Sequence, residues 1–251
     1  VSFSVAIRRP HYVQLLVQGG VFAYWGWHWE TVYLEMPLIL SQVVFAYLAE
    51  LVVCWWRRGE WRVGFGPWPI VFSTNLFMWF HDDYFAVQYL MVALAYLSRE
   101  LLRWERDGRS VHIFNPSAFG LCAISLVLIA FELPHLTWGA EISVALGRPL
   151  YAYEFIFLMG VIVQLFFRVT LVTMSAVAAS WIAGAVYFGS TDGYMYIDTT
   201  IPIAVFLGMN LLVTDPASSP QSNGGKVLFG ILYGVAIFCM YDVLRDMGRP
   251  A

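Results

Sequence analysis

Apolar and polar positions alternate along this chain on the scale of whole helices. Nine apolar runs stand near residues 11–27, 33–56, 66–80, 84–104, 115–132, 149–167, 169–188, 197–213 and 226–244, with short polar knots between them. Most approach the roughly 18 apolar residues that a helix needs to cross a bilayer. The pattern predicts an all-α polytopic membrane protein of about nine transmembrane or half-membrane helices. No linker divides it, so residues 1–251 form a single transmembrane domain. The 66–80 run is short and opens with "GPWP". Proline has no N–H to continue a helix, so this run predicts a half-helix or a broken one.

Composition supports that solvent. Of the 251 residues 60% are hydrophobic and 12% charged, with a mean hydropathy of +0.67. A soluble domain has about 25% charged residues. Cys54, Cys122 and Cys239 lie far apart in apolar runs, with no CxxC, haem-attachment or zinc spacing; they read as small buried hydrophobes. The chain begins at Val1, with no signal-peptide pattern, which points to an N-terminus that is processed or lies upstream.

Charge gives an orientation. With a cytoplasmic N-terminus and alternating sides, Arg8, Arg9, Arg57, Arg58, Arg62, Arg99, Arg103, Arg106, Arg109, Arg168 and Lys226 fall inside. Only Arg148, Arg245 and Arg249 fall outside, as the positive-inside rule requires. The outer knots carry Glu30, Asp82, Asp83, Glu132, Glu141, Asp192 and Asp198 instead. The expected location is a bacterial inner (cytoplasmic) membrane. Trp25, Trp27, Trp29, Trp55, Trp56, Trp61, Trp104, Trp138, Tyr194 and Tyr196 sit near the run ends and read as interfacial anchors.

Two polar knots stand out. In "HIFNPSAFG" (112–120), Pro116 suits a first helical turn and Asn115 suits its cap. The positive end of that helix would face a polar or anionic group, and Ser117 and Gly120 permit close approach. In "TDPASSPQSNGGK" (214–226), Asp215-Pro216 again precedes an apolar run. Two such interruptions in opposite halves point to a site at mid-membrane depth; ordinary capped turns are the plainer reading. Glu35, Glu50 and Glu154 lie in or near spans. Ionised groups there pair or line a pathway. His11, His28, His81, His112 and His135 offer no spacing that would clasp a haem between adjacent helices, so haem is not expected. No metal ligand set, Walker loop, GxGxxG, nucleophile elbow or HExxH is present.

The two knots also carry a resemblance. "LAELVVCWWRRGEW", then "HIFNPSAFGL", then "GMNLLVTDPASSPQSNGGKVLFGILYG" resemble the NqrB/RnfD family, the membrane subunits of sodium-pumping NADH:quinone oxidoreductase and of the Rnf complex. The matching residues are Phe114, Asn115 and Pro116, then Thr214, Asp215, Pro216, Asn223, Gly225 and Lys226, within roughly 45–244. The look is closest to divergent UnbU-type members. The resemblance implies two inverted halves similar to urea transporters, about 1–132 and 149–251. It also implies a flavin and electron transfer inside a larger redox complex, without stand-alone activity. The family's attachment loop, S-x-A-T, has no counterpart in 133–148, where Thr137 is the only threonine. "DTT" (198–200) falls where a second, non-attaching Gly-Ala-Thr occurs. Covalent FMN is therefore not expected, and riboflavin or FMN would be held non-covalently. The family's Asp-Asn at the start of the third segment is replaced by "GPWPIVFSTN".

Three expectations follow. As a redox subunit, the chain would hold flavin between the two turns, with Ser73, Thr74, Asn75, His112, Asn115, Pro116, Ser117, Thr214, Asp215 and Ser218 around it. Other membrane or peripheral redox subunits would be its partners beside the bilayer, with no nucleic acid. As a small-solute channel or carrier, it would use Glu35, Glu50 or Glu154 along the path. As a cofactor-free accessory subunit, its turns would be caps alone.

Overall fold

The computed structural model describes residues 3–7, 9–106, 108–147, 152–196 and 200–247. Arg8, Arg148, Arg249, Asp198 and the first two residues of "DTT" lie outside them, as do the first residues of the runs expected at 149 and 197. Within the described residues the chain is mostly helical: α1 (Arg9–His28), α2 (Thr31–Arg58), α3 (Pro67–Asn75), α4 (Phe85–Leu101), α5 (Pro116–Ala130), α6 (Gly139–Leu146), α7 (Ala152–Phe167), α8 (Thr170–Thr191), α9 (Thr200–Leu211) and α10 (Asn223–Asp246). Nine of these answer the nine apolar runs. Three of them, α2, α8 and α10, are long and apolar enough to cross a membrane.

Three features correct the expected outline. The eight-residue α6 stands where a plain loop was expected; it is too short to register as an apolar run, and Glu141 interrupts it. The fold is not purely helical. β1 (Phe3–Ala6) pairs in parallel with β2 (Trp61–Gly64), and β3 (Arg103–Arg106) forms a hairpin with β4 (Arg109–His112). Trp25 is no interfacial anchor: it is fully buried, against Trp29 and Trp79.

Helix ends follow local chemistry. Gly59 stops α2 in the left-handed region, at φ 65°, and donates its N–H to the Trp55 carbonyl. Asn115 caps α5, its Oδ1 accepting from the Ser117 and Ala118 amides at 2.9 and 3.4 Å. Ser222 caps α10 through the Gly225 amide.

The contacts define two ends. Arg57 and Arg58 close α2 beside Glu100, which closes α4, and Ser41 of α2 meets Tyr89 of α4. These two helices therefore run parallel and finish at an arginine end. Helices α8 and α10 also run parallel, in the opposite sense. Lys226 at the start of α10 bonds the Arg168 carbonyl just before α8. Gly234 lies so close to Ala176 that a Cβ would collide with its backbone, and Arg245 reaches the Met195 carbonyl past the other end of α8. At the far end Trp25, Trp29 and Trp79 cluster at 5.3 to 5.5 Å between ring centres, with Trp29 stacked on Trp79 and Trp25 tilted against both.

Two helices stop inside the molecule. Helix α3 starts at the arginine end, where the Arg99 guanidinium fills the space that a side chain on Gly66 would need. It finishes at Asn75, bonded to Gln42 near the middle of α2. The chain then runs on, less regularly, to the far end, where His81 bonds the Leu136 carbonyl. Helix α9 does the reverse. It packs on α6 at the far side, where Ile203 in its first turn comes close to Gly147 just past α6. It ends at Leu211, and Asp215 just beyond meets His112 of β4.

Candidate functional site: a cavity at the arginine end

The interrupted helices leave room between them. A cavity of about 1040 Å³ opens at the arginine end and reaches inward to Leu76 and Ile156. None of the far-end tryptophans borders it.

Its floor is apolar and aromatic: Phe22 and Val21 of α1, Phe65, Ile70 and Phe72 of α3 and its lead-in, Ile156 of α7 and Leu211 of α9. One polar feature interrupts that floor. Gln18 of α1 donates through Nε2 to Ser73 Oγ at 3.3 Å, while its Oε1 is buried and has no partner among the described residues. A buried acceptor left without a donor costs about 1–3 kcal/mol. Such an atom at a cavity wall is suited to a ligand N–H.

The mouth is strongly basic. Arg57, Arg58, Arg62, Arg99 and Arg103 line it, with Glu50 and Glu100 between them. Glu100 is almost fully buried and bonds Arg58 at 2.8 Å; Arg103 stands at 3.9 Å. Glu50, also buried, accepts from the Gly64 amide at 2.8 Å and from Arg99 at 3.4 Å. Burial lowers the Arg103 guanidinium below its ordinary value. Glu100 works against that, while Arg58, Arg99 and Arg57 reinforce it. Positive charge is therefore crowded at this rim.

The two polar turns close one side. His112 Nε2 lies 2.8 Å from Asp215 Oδ2, and Asn115 Nδ2 donates to the Leu212 carbonyl. Arg106 on the hairpin donates to the Ser219 carbonyl at 3.1 Å. Ser218 holds Asp215 through both its amide and its hydroxyl, at 2.9 and 2.8 Å. Burial alone would raise the Asp215 carboxyl. The bonds and charge of His112, with the two bonds from Ser218, outweigh it and hold the group below the usual carboxylate range.

Of the residues singled out in the sequence, Ser73, His112, Asn115, Pro116, Ser117, Thr214 and Asp215 all border the cavity. Ser218 stands just behind its wall, bonded to Asp215. Thr74 and Asn75 face away into a fully buried network. Thr74 bonds the Ile70 carbonyl, and Asn75 bonds Gln42 and Gln88. The three glutamates are not gathered. Glu50 borders the cavity, Glu35 is buried near His81 and Asp82 at the far end, and Glu154 is exposed at the start of α7. Glu35 and Glu50 are fifteen residues apart on one helix, about 22 Å at 1.5 Å per residue.

Buried side-chain amides, absent from the residues expected at the site, hold its framework. Gln18 faces the cavity, Gln42 and Gln88 hold Asn75, and Gln164 holds Asn210 at 3.0 Å. A glutamine or asparagine inside an apolar run must find a partner, and that signal would have found all of them. No protein-family model, curated protein or solved structure matches the chain.

Proposed function

We propose that this chain is a membrane electron-transfer subunit that holds a flavin non-covalently in the arginine-end cavity and works within a larger redox complex. The observation that carries the reading is the cavity itself. It joins both polar turns, an aromatic floor and an unpartnered buried amide oxygen in one space. Organic ligands occupy pockets of about 300–1,000 Å³, mostly apolar with a few placed polar groups. A flavin ring has an apolar edge and a pyrimidine edge carrying an N–H between two carbonyls. Gln18 could accept from that N–H through Oε1. Phe65, Phe72 and Phe22 supply the apolar walls. The bound group would supply the chemistry of accepting and releasing electrons; the chain's part is to hold, orient and shield it.

The resemblance of "FNPSAFG" and "TDPASSPQSNGGK" to the NqrB/RnfD family supports the same reading. The positive-inside rule supports an arginine end that faces the cytoplasm of a bacterial inner membrane, with the N-terminus on that side.

A second reading rests on a different observation. Helices α1–α4 and α7–α10 repeat one order, two longer helices, a half-helix and a further longer one, with the parallel pairs α2/α4 and α8/α10 opposed in sense. That order supports inverted, urea-transporter-like halves, which would suit a small-solute path.

Purification of the intact chain in mild detergent separates the two. A visible flavin spectrum, with the flavin released by acid without proteolysis, is expected. Colourless protein that takes up no added flavin, yet conducts a solute in liposomes, would establish transport instead.

A further inference from the structure

The rim of the cavity has a charge surplus that the protein does not neutralise. Five arginines line the cavity: Arg57, Arg58, Arg62, Arg99 and Arg103. Three carboxylates line it with them, Glu50, Glu100 and Asp215, which leaves two positive charges (five minus three). Nor are the pairs evenly matched. Glu100 is engaged by Arg58, and Glu50 by Arg99 at the longer distance of 3.4 Å. Arg57 donates to the main-chain oxygen of Glu100, and among the described residues no carboxylate lies within ion-pair reach of it. Among the described residues no carboxylate lies within ion-pair reach of Arg62.

Asn115 already occupies the Ser117 and Ala118 amides of α5, which removes them as ligand donors. Helix α3 differs. It has nine residues, begins at this rim, and has no side-chain cap at Gly66. Two of its first three residues, Pro67 and Pro69, carry no N–H, so the positive field at the rim is carried by the arginines. A guanidinium fork matches two oxygens of one tetrahedral anion and remains charged at any working pH.

We propose that this rim is a subsite for a doubly charged phosphate group, with Arg57 and Arg62 as its principal contacts. The inference rests on the flavin reading for its carrier: the ligand is a flavin bearing a phosphate monoester, with its ring on the aromatic floor and its phosphate at the rim. A phospholipid headgroup has the same chemistry, and the experiment separates the two sources.

The test uses the full chain in detergent, freed of bound small molecules, and three probes: riboflavin 5′-phosphate, riboflavin and inorganic phosphate. The phosphorylated flavin is expected to bind at least about tenfold more tightly than riboflavin. Inorganic phosphate is expected to raise the melting temperature. Arg62→Gln, at an exposed position, should narrow the gap between the two flavins without changing riboflavin affinity, while Arg245→Gln at the far end should leave the gap intact. Equal affinity for both flavins with no response to inorganic phosphate would overturn the subsite and leave the flavin reading standing. A response to inorganic phosphate with no binding of either flavin would overturn the flavin reading and keep the subsite. Nanodiscs decide the source. If flavin phosphate binds in zwitterionic discs but is excluded from discs containing phosphatidic acid, the subsite stands and its occupant is a lipid.

Discussion

Asp215 shows how a single residue ties the site together. It accepts from His112 across about a hundred residues of chain and from the amide and hydroxyl of Ser218 next door. Replacing it with Asn keeps the shape but removes the charge from these bonds. Hydrogen bonds to charged groups contribute about 1.5–3 kcal/mol each, so Asp215→Asn should lower stability by an amount of that order. Denaturant or thermal unfolding in detergent measures it. The pH dependence has a fixed sign. The folded carboxyl titrates below its unfolded value of about 3.9. Its stabilisation is therefore full above about pH 4 and fades as the pH falls through the folded value. The Asn variant should lack that acid-side slope. Unchanged stability at neutral pH, or the same slope in the variant, would show that the tie is not made.

At the scale of elements, the interrupted helices make the cavity, and buried amides fix where they stop. Asn75 ends α3 within a network of Gln42, Gln88 and Trp79, all fully buried. Asn210 sits one residue from the end of α9, held by Gln164. In an apolar surrounding each amide depends on its neighbours. Asn75→Leu should orphan Gln42 and Gln88 and cost about 1–3 kcal/mol for each group left unpaired. The triple change to leucine at 42, 75 and 88 should recover part of the loss. A single variant as stable as the parent chain would contradict this account of why α3 ends there.

These elements differ in how far the sequence announces them. Runs such as 33–56 and 226–244 are legible because burial in lipid demands unbroken hydrophobicity. "GPWP" marks α3 as short because proline removes helix donors. The cap at Asn115 and the pairing of both turns at one cavity are legible from chemistry and spacing. Helix α6 is not, since eight residues with a glutamate leave no periodic signal. The β1–β2 pair joins positions some 58 residues apart in register, and no local pattern encodes such a contact. Ser73 and Asn75, two apart, read alike in sequence; the half-turn between them puts one at the cavity and the other in the buried network.

At the scale of the whole molecule, the described helices surround a basin that opens at the basic end, with α2 and α4 running toward that end and α8 and α10 away from it. That arrangement makes Ser73 reachable from the arginine side even though it lies in the third apolar run. Its position follows from α3 beginning at the rim and stopping halfway, so that an inward turn still borders solvent. A flavin ring on the aromatic floor would then lie across it, beside Gln18.

The most direct measurement places a single cysteine at Ser73, with Cys54, Cys122 and Cys239 replaced, in oriented proteoliposomes. The rate of modification by a membrane-impermeant thiol reagent is followed from each side, with and without riboflavin 5′-phosphate. Modification from the arginine side only, slowed when the flavin is present, is the predicted result. Modification from the far side, or a rate that the flavin leaves unchanged, would contradict a flavin-holding cavity at the arginine end.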